Sequence, residues 1–109
     1  MRVAVLGAGG TIAPAIVRDL AESEEASELR LLDLDVDRAQ AVGDTHGGDK
    51  ATVAKVDARA GLADSLDGVD VLVNSASYRV NLDAMRACLE AGCHYICLLY
   101  TYPSPRDRS

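Results

Sequence analysis

The sequence predicts an α/β protein with one doubly wound parallel sheet of about five strands, and two alternating patterns carry that prediction. Short runs rich in apolar residues, as at 3–6 and 69–73, are typical of strands in the interior of a parallel sheet. Between such runs, apolar residues recur every four positions, as at Ile12, Ile16 and Leu20, which is typical of a helix. Strands that alternate with helices are expected to pair in parallel through right-handed crossovers.

Local signals place the individual elements. We expect strands at residues 3–6, 28–34, 52–56 and 69–73, and a fifth that begins at Tyr95. We expect helices from Thr11, at 36–42, at 60–66 and from Leu82. Pro14 fits the first turn of its helix, where a proline costs no intrahelical hydrogen bond. The last helix is expected to end at Gly92 in a left-handed cap and to bury one apolar face formed by Leu82, Met85, Cys88 and Leu89.

Composition and charge exclude several classes of function. The 109 residues are 49% hydrophobic and carry a net charge of -6, which argues against nucleic acid as a partner. No apolar run is long enough to span a membrane, and the amino terminus lacks the pattern of a signal peptide. We therefore expect a cytoplasmic protein with no membrane partner. Cys88, Cys93 and Cys97 lack the spacing of a zinc site, so we expect free thiols and no bound metal.

The end of the chain breaks the alternating pattern. Residues 98–109 are rich in proline, serine and arginine, and residues 97–107 resemble the translation of a DNA-library adaptor. We therefore expect a dinucleotide-binding domain at residues 1–97 and a non-native tail at 98–109, with the reading frame truncated between them. The alternative is a natural disordered tail.

A glycine turn between the first strand and the first helix carries the first functional signal. Gly7 permits the tight turn, and Gly9 lets the backbone approach a pyrophosphate. The helix that follows directs free N–H groups and the positive end of its dipole toward the same anion. This pattern is the Rossmann fingerprint, except that Ile12 stands where a third small residue is usual. The predicted contacts of the turn with a dinucleotide are Gly7, Gly9, Gly10, Thr11 and Ile12.

The residues after the second strand bear on the choice of cofactor. Asp33 closes that strand, where a carboxylate accepts hydrogen bonds from the adenosine ribose and repels a 2′-phosphate. This position favours NAD over NADP. Arg38 supports the opposite choice, because it could reach a 2′-phosphate if its loop folds back over the site. We therefore expect NAD or NADP, with a preference for NAD.

Polar and small residues also follow the third and fourth strands. Asp57 is placed to meet the adenine edge, while Ser75 and Ala76 are small enough for the cofactor to lie across them. Ligands of open α/β sheets bind at these carboxyl ends of the strands. An equally simple interpretation assigns these residues to turns alone.

The second half of the chain resembles the saccharopine dehydrogenase family. The family pattern is an Asn-Ala-Ala/Pro-Tyr stretch, an Asn-Leu helix start, Ala-Cys-Leu-Glu-Ala-Gly, then His-Tyr and an aspartate. This sequence has Asn-Ser-Ala-Ser-Tyr at 74–78, Asn-Leu at 81–82, Ala-Cys-Leu-Glu-Ala-Gly at 87–92 and His-Tyr at 94–95. Cys97 replaces the aspartate, at the start of the suspected non-native segment. The resemblance covers residues 1–96.

The resemblance implies an NAD(P)-dependent oxidoreductase that reduces imines formed from an amine and an oxo acid, or runs the reverse oxidation. It further implies that the small-molecule substrate binds in a second domain, that catalytic residues lie there, and that the full-length enzyme is a homodimer. This chain alone is then expected to bind a dinucleotide and to catalyse nothing. His94 and Tyr95 could shuttle protons, but their place at the start of a buried strand favours packing or hydrogen-bonded support.

Three other classes share parts of this pattern. A methyltransferase usually has an acid before the first glycine, where this chain has Leu6, and a short-chain dehydrogenase needs a lysine where this chain has Leu82. A regulatory nucleotide-sensing domain has the same turn and acid and stays open as an alternative function.

Overall fold

The computed structural model describes residues 1–97, which contain a five-stranded sheet with every neighbouring pair parallel. Its strands are β1 (Arg2–Leu6), β2 (Glu28–Asp33), β3 (Ala51–Lys55), β4 (Val71–Asn74) and β5 (His94–Cys97). The order across the sheet is β3-β2-β1-β4-β5, so the chain returns from one edge to pair β4 with the central β1. This arrangement confirms the predicted fold class. The predicted non-native tail lies outside the described residues.

Helices cover both faces of the sheet. They are α1 (Ala13–Glu22), α2 (Val36–Val42), α3 (Leu62–Ser65) and α4 (Asn81–Ala91), with a π-helical turn at Gly43–Gly47 and 3₁₀ turns at Gly48–Lys50 and Tyr78–Val80. The side chains of α1 and α2 pack on one face, where Val17 and Ala39 belong to the same buried cluster as Val5 and Leu31. The side chains of α3 and α4 pack on the other face with Leu72. None of the helices in residues 1–97 is long and apolar enough to cross a membrane.

The boundaries differ from the prediction at a few points. Helix α1 begins at Ala13 and not at Thr11, with Pro14 in its first turn as expected. Thr11 and Ile12 precede the helix and are exposed, whereas Ala13 and Val17 are its buried residues. The expected left-handed cap at Gly92 is confirmed, since its φ is 78° and its N–H donates to the carbonyl oxygen of Cys88.

The predicted apolar face of α4 is wrong. Cys88 is buried, but Leu82, Met85 and Leu89 are 64%, 42% and 83% exposed. The buried face consists of Ala84, Ala87 and Cys88. Small side chains at these positions let the helix axis approach the sheet closely, which leaves the larger apolar side chains on the outer surface. The positions of the large apolar side chains therefore predicted the wrong buried face for this helix.

Candidate functional site

The turn after β1 is held tightly against two other strands. Gly7 has a φ of 81°, which favours glycine, and its N–H donates to the carbonyl oxygen of Leu32 at 2.8 Å. Gly10 donates to the carbonyl oxygen of Gly7 at 2.9 Å and closes the turn. A Cβ on Gly7 would lie 2.6 Å from the Cα of Ala76. Gly7 is therefore required both by its backbone angle and by the close approach of the segment after β4.

Asp33 binds the glycine turn directly. Its Oδ2 accepts a hydrogen bond from the Gly9 N–H at 2.8 Å, and its Oδ1 accepts one from the Asp35 N–H at 2.8 Å. A Cβ on Gly9 would lie 3.1 Å from Asp33 Oδ2 and 2.9 Å from the Cβ of Arg38. Sequence reasoning predicted the acid but missed this contact, because the spacing of residues along the chain gives no side-chain direction. Each carboxylate oxygen still has room to accept a further donor.

The amino end of α1 presents unpaired N–H groups. Ile12 occupies the N-cap position and provides no side-chain hydrogen bond, and the first turn contains no acidic residue. The first N–H groups of a helix have no acceptor within it, so such an end attracts an anion. Thr11 and Ile12 are exposed beside it. The helix end therefore has the features of an anion-binding site, and its contact with a pyrophosphate stays a prediction.

A cavity of about 390 Å³ lies at the carboxyl ends of the strands. This volume is in the range of small-molecule sites, and the position is the topological switch point between β1 and β4. The lining residues are Leu6, Gly7, Gly10, Asp33, Leu34, Val56, Asp57, Ala58, Arg59, Ser75, Ala76 and Val80.

Most of the predicted site residues converge on this cavity. Those among its lining are Gly7, Gly10, Asp33, Asp57, Ser75 and Ala76. Three predicted residues are not among the lining: Gly9, which is buried, and Thr11 and Ile12, which are exposed at the helix end. Sequence reasoning missed the other six lining residues, of which Leu34 and Arg59 follow the two predicted acids closely in the chain. Adjacency to Asp33 and Asp57 is the signal that could have identified these two.

Asp57 shapes a turn and also faces the cavity. Its Oδ1 accepts the N–H of Arg59 at 2.9 Å, and its carbonyl oxygen accepts the N–H of Ala60 at 2.9 Å. The side chain of Asp57 is exposed. Turn chemistry and a place in the cavity wall therefore coincide at this residue, and its contact with an adenine stays a prediction.

Ser75 joins the fourth strand to the first. Its N–H and its Oγ both donate to the carbonyl oxygen of Leu6, at 2.9 and 2.8 Å, and the residue is buried. Because its hydroxyl proton is donated to Leu6, Ser75 lines the cavity without directing that proton toward a ligand. Ala76 follows with its backbone against Gly7.

A second hydrogen-bonded group lies behind that wall. The fully buried Asn74 accepts the Ala76 N–H on Oδ1 at 2.9 Å and donates from Nδ2 to the Tyr95 hydroxyl at 2.9 Å. The Tyr95 hydroxyl in turn donates to Oδ1 of Asn81. Burial raises the pKa of Tyr95 above its usual value, which favours the protonated phenol that donates this bond. The structure thus gives Tyr95 the hydrogen-bonded role expected for it, but β5 is not the buried strand that was expected, since His94 and Ile96 are exposed.

Cys88 is unsuited to act as a nucleophile. Cys88, Cys93 and Cys97 are free thiols, and burial, followed by a hydrogen bond with Cys93, raises the pKa of Cys88 to about 12. A thiol with such a pKa stays protonated at neutral pH and is a poor nucleophile. Within residues 1–97, no three histidine, cysteine or acidic side chains are grouped to hold a metal ion.

Comparison with known proteins identifies the family. A family model described as the saccharopine dehydrogenase NADP binding domain matches residues 3–109. The chain belongs to this family. It is an NAD(P)-binding domain of the saccharopine dehydrogenase type, as the resemblance of the sequence had implied. The family description names NADP, so the preference for NAD drawn from Asp33 is not supported.

Solved structures of this fold include several oxidoreductases. Saccharopine dehydrogenase (L-Glu forming) from Saccharomyces cerevisiae matches with a TM-score of 0.79 at 18% identity, over 97% of this chain and 23% of the yeast chain. A short-chain dehydrogenase/reductase from Veillonella parvula in complex with NADP matches with a TM-score of 0.71 at 17% identity, over 88% and 46%. These two likenesses show the fold alone. An NADPH-dependent quinone oxidoreductase from Escherichia coli matches with a TM-score of 0.68 at 26% identity, over 86% and 33%.

Proposed function

We propose that this chain binds NADP(H) as the dinucleotide-binding domain of an oxidoreductase. The proposed enzyme transfers hydride to or from the carbon–nitrogen bond of an amino-acid-type substrate, as its family suggests. The observation that carries the proposal is the cavity at the carboxyl end of β1, lined by Gly7 and Gly10 on one side and Ala76 on the other. A dinucleotide binds across such a switch point in folds of this kind.

Each part of the cofactor has a matching part of the site. The pyrophosphate is proposed to lie over the glycine turn and the open end of α1, which supply N–H donors. The adenosine is proposed to lie on the β2 side, near Asp33 and Asp57, and the nicotinamide on the β4 side, past Ser75 and Ala76. When bound, NADPH supplies the hydride, and the protein residues position it.

Two cations support NADP over NAD. Arg38 lies beside Gly9 at the start of α2, and Arg59 lines the cavity next to Asp57. A guanidinium recognises a phosphate through two parallel hydrogen bonds, which suits the 2′-phosphate of NADP. Both oxygens of Asp33 accept backbone N–H groups, so part of its charge is compensated within the protein.

The substrate and its catalytic groups are proposed to reside in a second domain. This chain spans 23% of the length of the yeast saccharopine dehydrogenase that it matches. We propose that the whole protein is a cytoplasmic homodimer acting on a small molecule, and that this domain alone binds cofactor without turnover.

Calorimetric titration of the 109-residue chain with NADPH and with NADH tests the proposal. Arg38→Ala should weaken NADPH binding by about tenfold and leave NADH binding unchanged, because only NADPH carries the 2′-phosphate. Arg18→Ala, which removes an exposed arginine on α1, is the matched control and should change neither. Failure of the unmodified chain to bind either dinucleotide would overturn the proposal.

A further inference from the structure

Three side chains behind the cavity wall connect three separate elements. Asn74 ends β4, Asn81 begins α4 and Tyr95 lies in β5. Tyr95 donates to Asn81 and accepts from Asn74, so one phenol oxygen joins the other two residues. No step of the proposed function uses this group, yet Asn74 is completely buried, where an unpaired amide would be costly.

In the hydrogen bonds that join Ala76, Asn74, Tyr95 and Asn81, the donor and the acceptor of each bond can be assigned in turn. The Ala76 N–H is a donor, so the atom of Asn74 that faces it must be Oδ1. The amide nitrogen of Asn74 then necessarily faces Tyr95, whose oxygen must accept. The phenol proton is thereby directed to Oδ1 of Asn81. The Ala76 N–H therefore sets which way the buried amide of Asn74 points, and the Tyr95 hydroxyl anchors that amide by accepting from its nitrogen.

The orientation of Asn74 determines where the cavity wall lies. Its Oδ1 holds the backbone of Ala76, and a Cβ on Gly7 would meet that backbone at 2.6 and 2.7 Å. A small displacement of Ala76 would therefore move one side of the cavity toward or away from the glycine turn. The residues on the β2 side of the cavity have no bond to Tyr95 or Asn74 among residues 1–97.

We propose that Tyr95 is a positioning residue for the nicotinamide half of the cofactor, acting through Asn74 on the backbone of Ala76. This inference rests on the proposed function, since it assumes that a dinucleotide lies across Ala76. It assigns to Tyr95 a role in placing the cofactor rather than in transferring a proton. The phenol is half-buried behind the wall, and Asn74 and Asn81 hold its oxygen.

The test compares two probes that share the adenosine end of NADPH. Tyr95→Phe removes only the hydroxyl and should weaken NADPH binding by about tenfold. Binding of 2′,5′-ADP, which lacks the nicotinamide half, should stay within about twofold of the unmodified chain. Ser27→Ala is the control, because it deletes another hydroxyl, one that donates to the Met1 carbonyl oxygen at the opposite end of the sheet. It should leave both affinities unchanged.

Amide hydrogen exchange supplies a readout that does not depend on cofactor. In Tyr95→Phe the Ala76 N–H should exchange at least about tenfold faster, while the Ser75 N–H, bonded to Leu6, keeps its protection. Asn81→Ala leaves the bond between Asn74 and Tyr95 in place and should give a smaller change at Ala76, which keeps the test usable if Tyr95→Phe folds poorly.

The outcomes separate this inference from the proposed function. If the unmodified chain binds neither NADPH nor 2′,5′-ADP, the proposed function fails. If it binds both and Tyr95→Phe lowers the two affinities equally, or changes neither, the positioning role of Tyr95 is wrong. Unchanged exchange at Ala76 in both variants contradicts it as well.

Discussion

The backbone N–H of Gly9 donates a 2.8 Å hydrogen bond to Oδ2 of Asp33. This bond joins the glycine turn after β1 to the end of β2, so the acid that was expected to meet the ribose also braces the turn over which the pyrophosphate is proposed to lie. A substitution at Asp33 therefore acts on the protein before any cofactor is added.

We expect Asp33→Ala to lower the free energy of unfolding by about 1 to 3 kcal/mol, because it leaves the N–H groups of Gly9 and Asp35 without their acceptor. Urea denaturation of the chain without cofactor measures the change. Asp19→Ala, at an exposed position of α1, is the matched control and should stay within about 0.5 kcal/mol of the unmodified chain. Equal stability of the two variants would contradict a bracing role for Asp33.

Gly7 offers a second test of the turn. Gly7→Ala should lower the free energy of unfolding by about 3 kcal/mol or more, since its φ is unfavourable for alanine and its Cβ would overlap the Ala76 backbone. Gly61→Ala is the control for the backbone angle alone, because Gly61 has a φ of 80° with nothing within 4 Å. It should cost about 1 kcal/mol. If urea denaturation shows the same loss of unfolding free energy in both variants, the contact between Ala76 and residue 7 does not contribute to stability.

The free energy of unfolding should depend on pH through the ionisation of the Cys88 thiol. Burial raises the pKa of its thiol from 9.0 to about 12, so the folded state keeps a proton that the unfolded state releases first as the pH rises. The contribution of Cys88 is complete below pH 9 and is lost progressively between about pH 9 and 12. Urea denaturation at pH 8, 9 and 10 should show a falling free energy of unfolding, with a smaller slope in Cys88→Ala. An identical slope in the two proteins would exclude this residue as its source.

Much of the fold followed from the sequence because its signals are local. Apolar runs gave the strands, and the cap at Gly92 and the bounds of α2 (Val36–Val42) agree with the structure. The buried face of α4 did not follow, because close packing on a sheet selects small side chains and not the largest apolar ones. Ala84 and Ala87 carried that information, but neither is apolar enough to stand out in a helical pattern.

The sequence predicted which residues form the site, but it did not predict the hydrogen bonds between them. Gly7 was identified because a tight turn after a strand favours glycine, and Asp33 because it is an acidic residue at the end of the second strand. The bond of Asp33 to Gly9 spans 24 positions and that of Tyr95 to Asn74 spans 21. The first pair depends on how β1 and β2 align and the second on how β4 and β5 align, which no local pattern encodes.

The corrected face of α4 leads to the last prediction, a comparison of two identical substitutions. Leu89 is 83% exposed on α4, whereas Leu66 is completely buried in the core beneath α3 and α4. Leu66→Ala should lower the free energy of unfolding by about 2 to 5 kcal/mol, because it leaves a cavity among packed neighbours. Leu89→Ala should change it by less than about 0.5 kcal/mol, since alanine is also the better helix former. Urea denaturation of both variants measures the difference, and a loss at Leu89 as large as that at Leu66 would restore the apolar face that the sequence alone predicted.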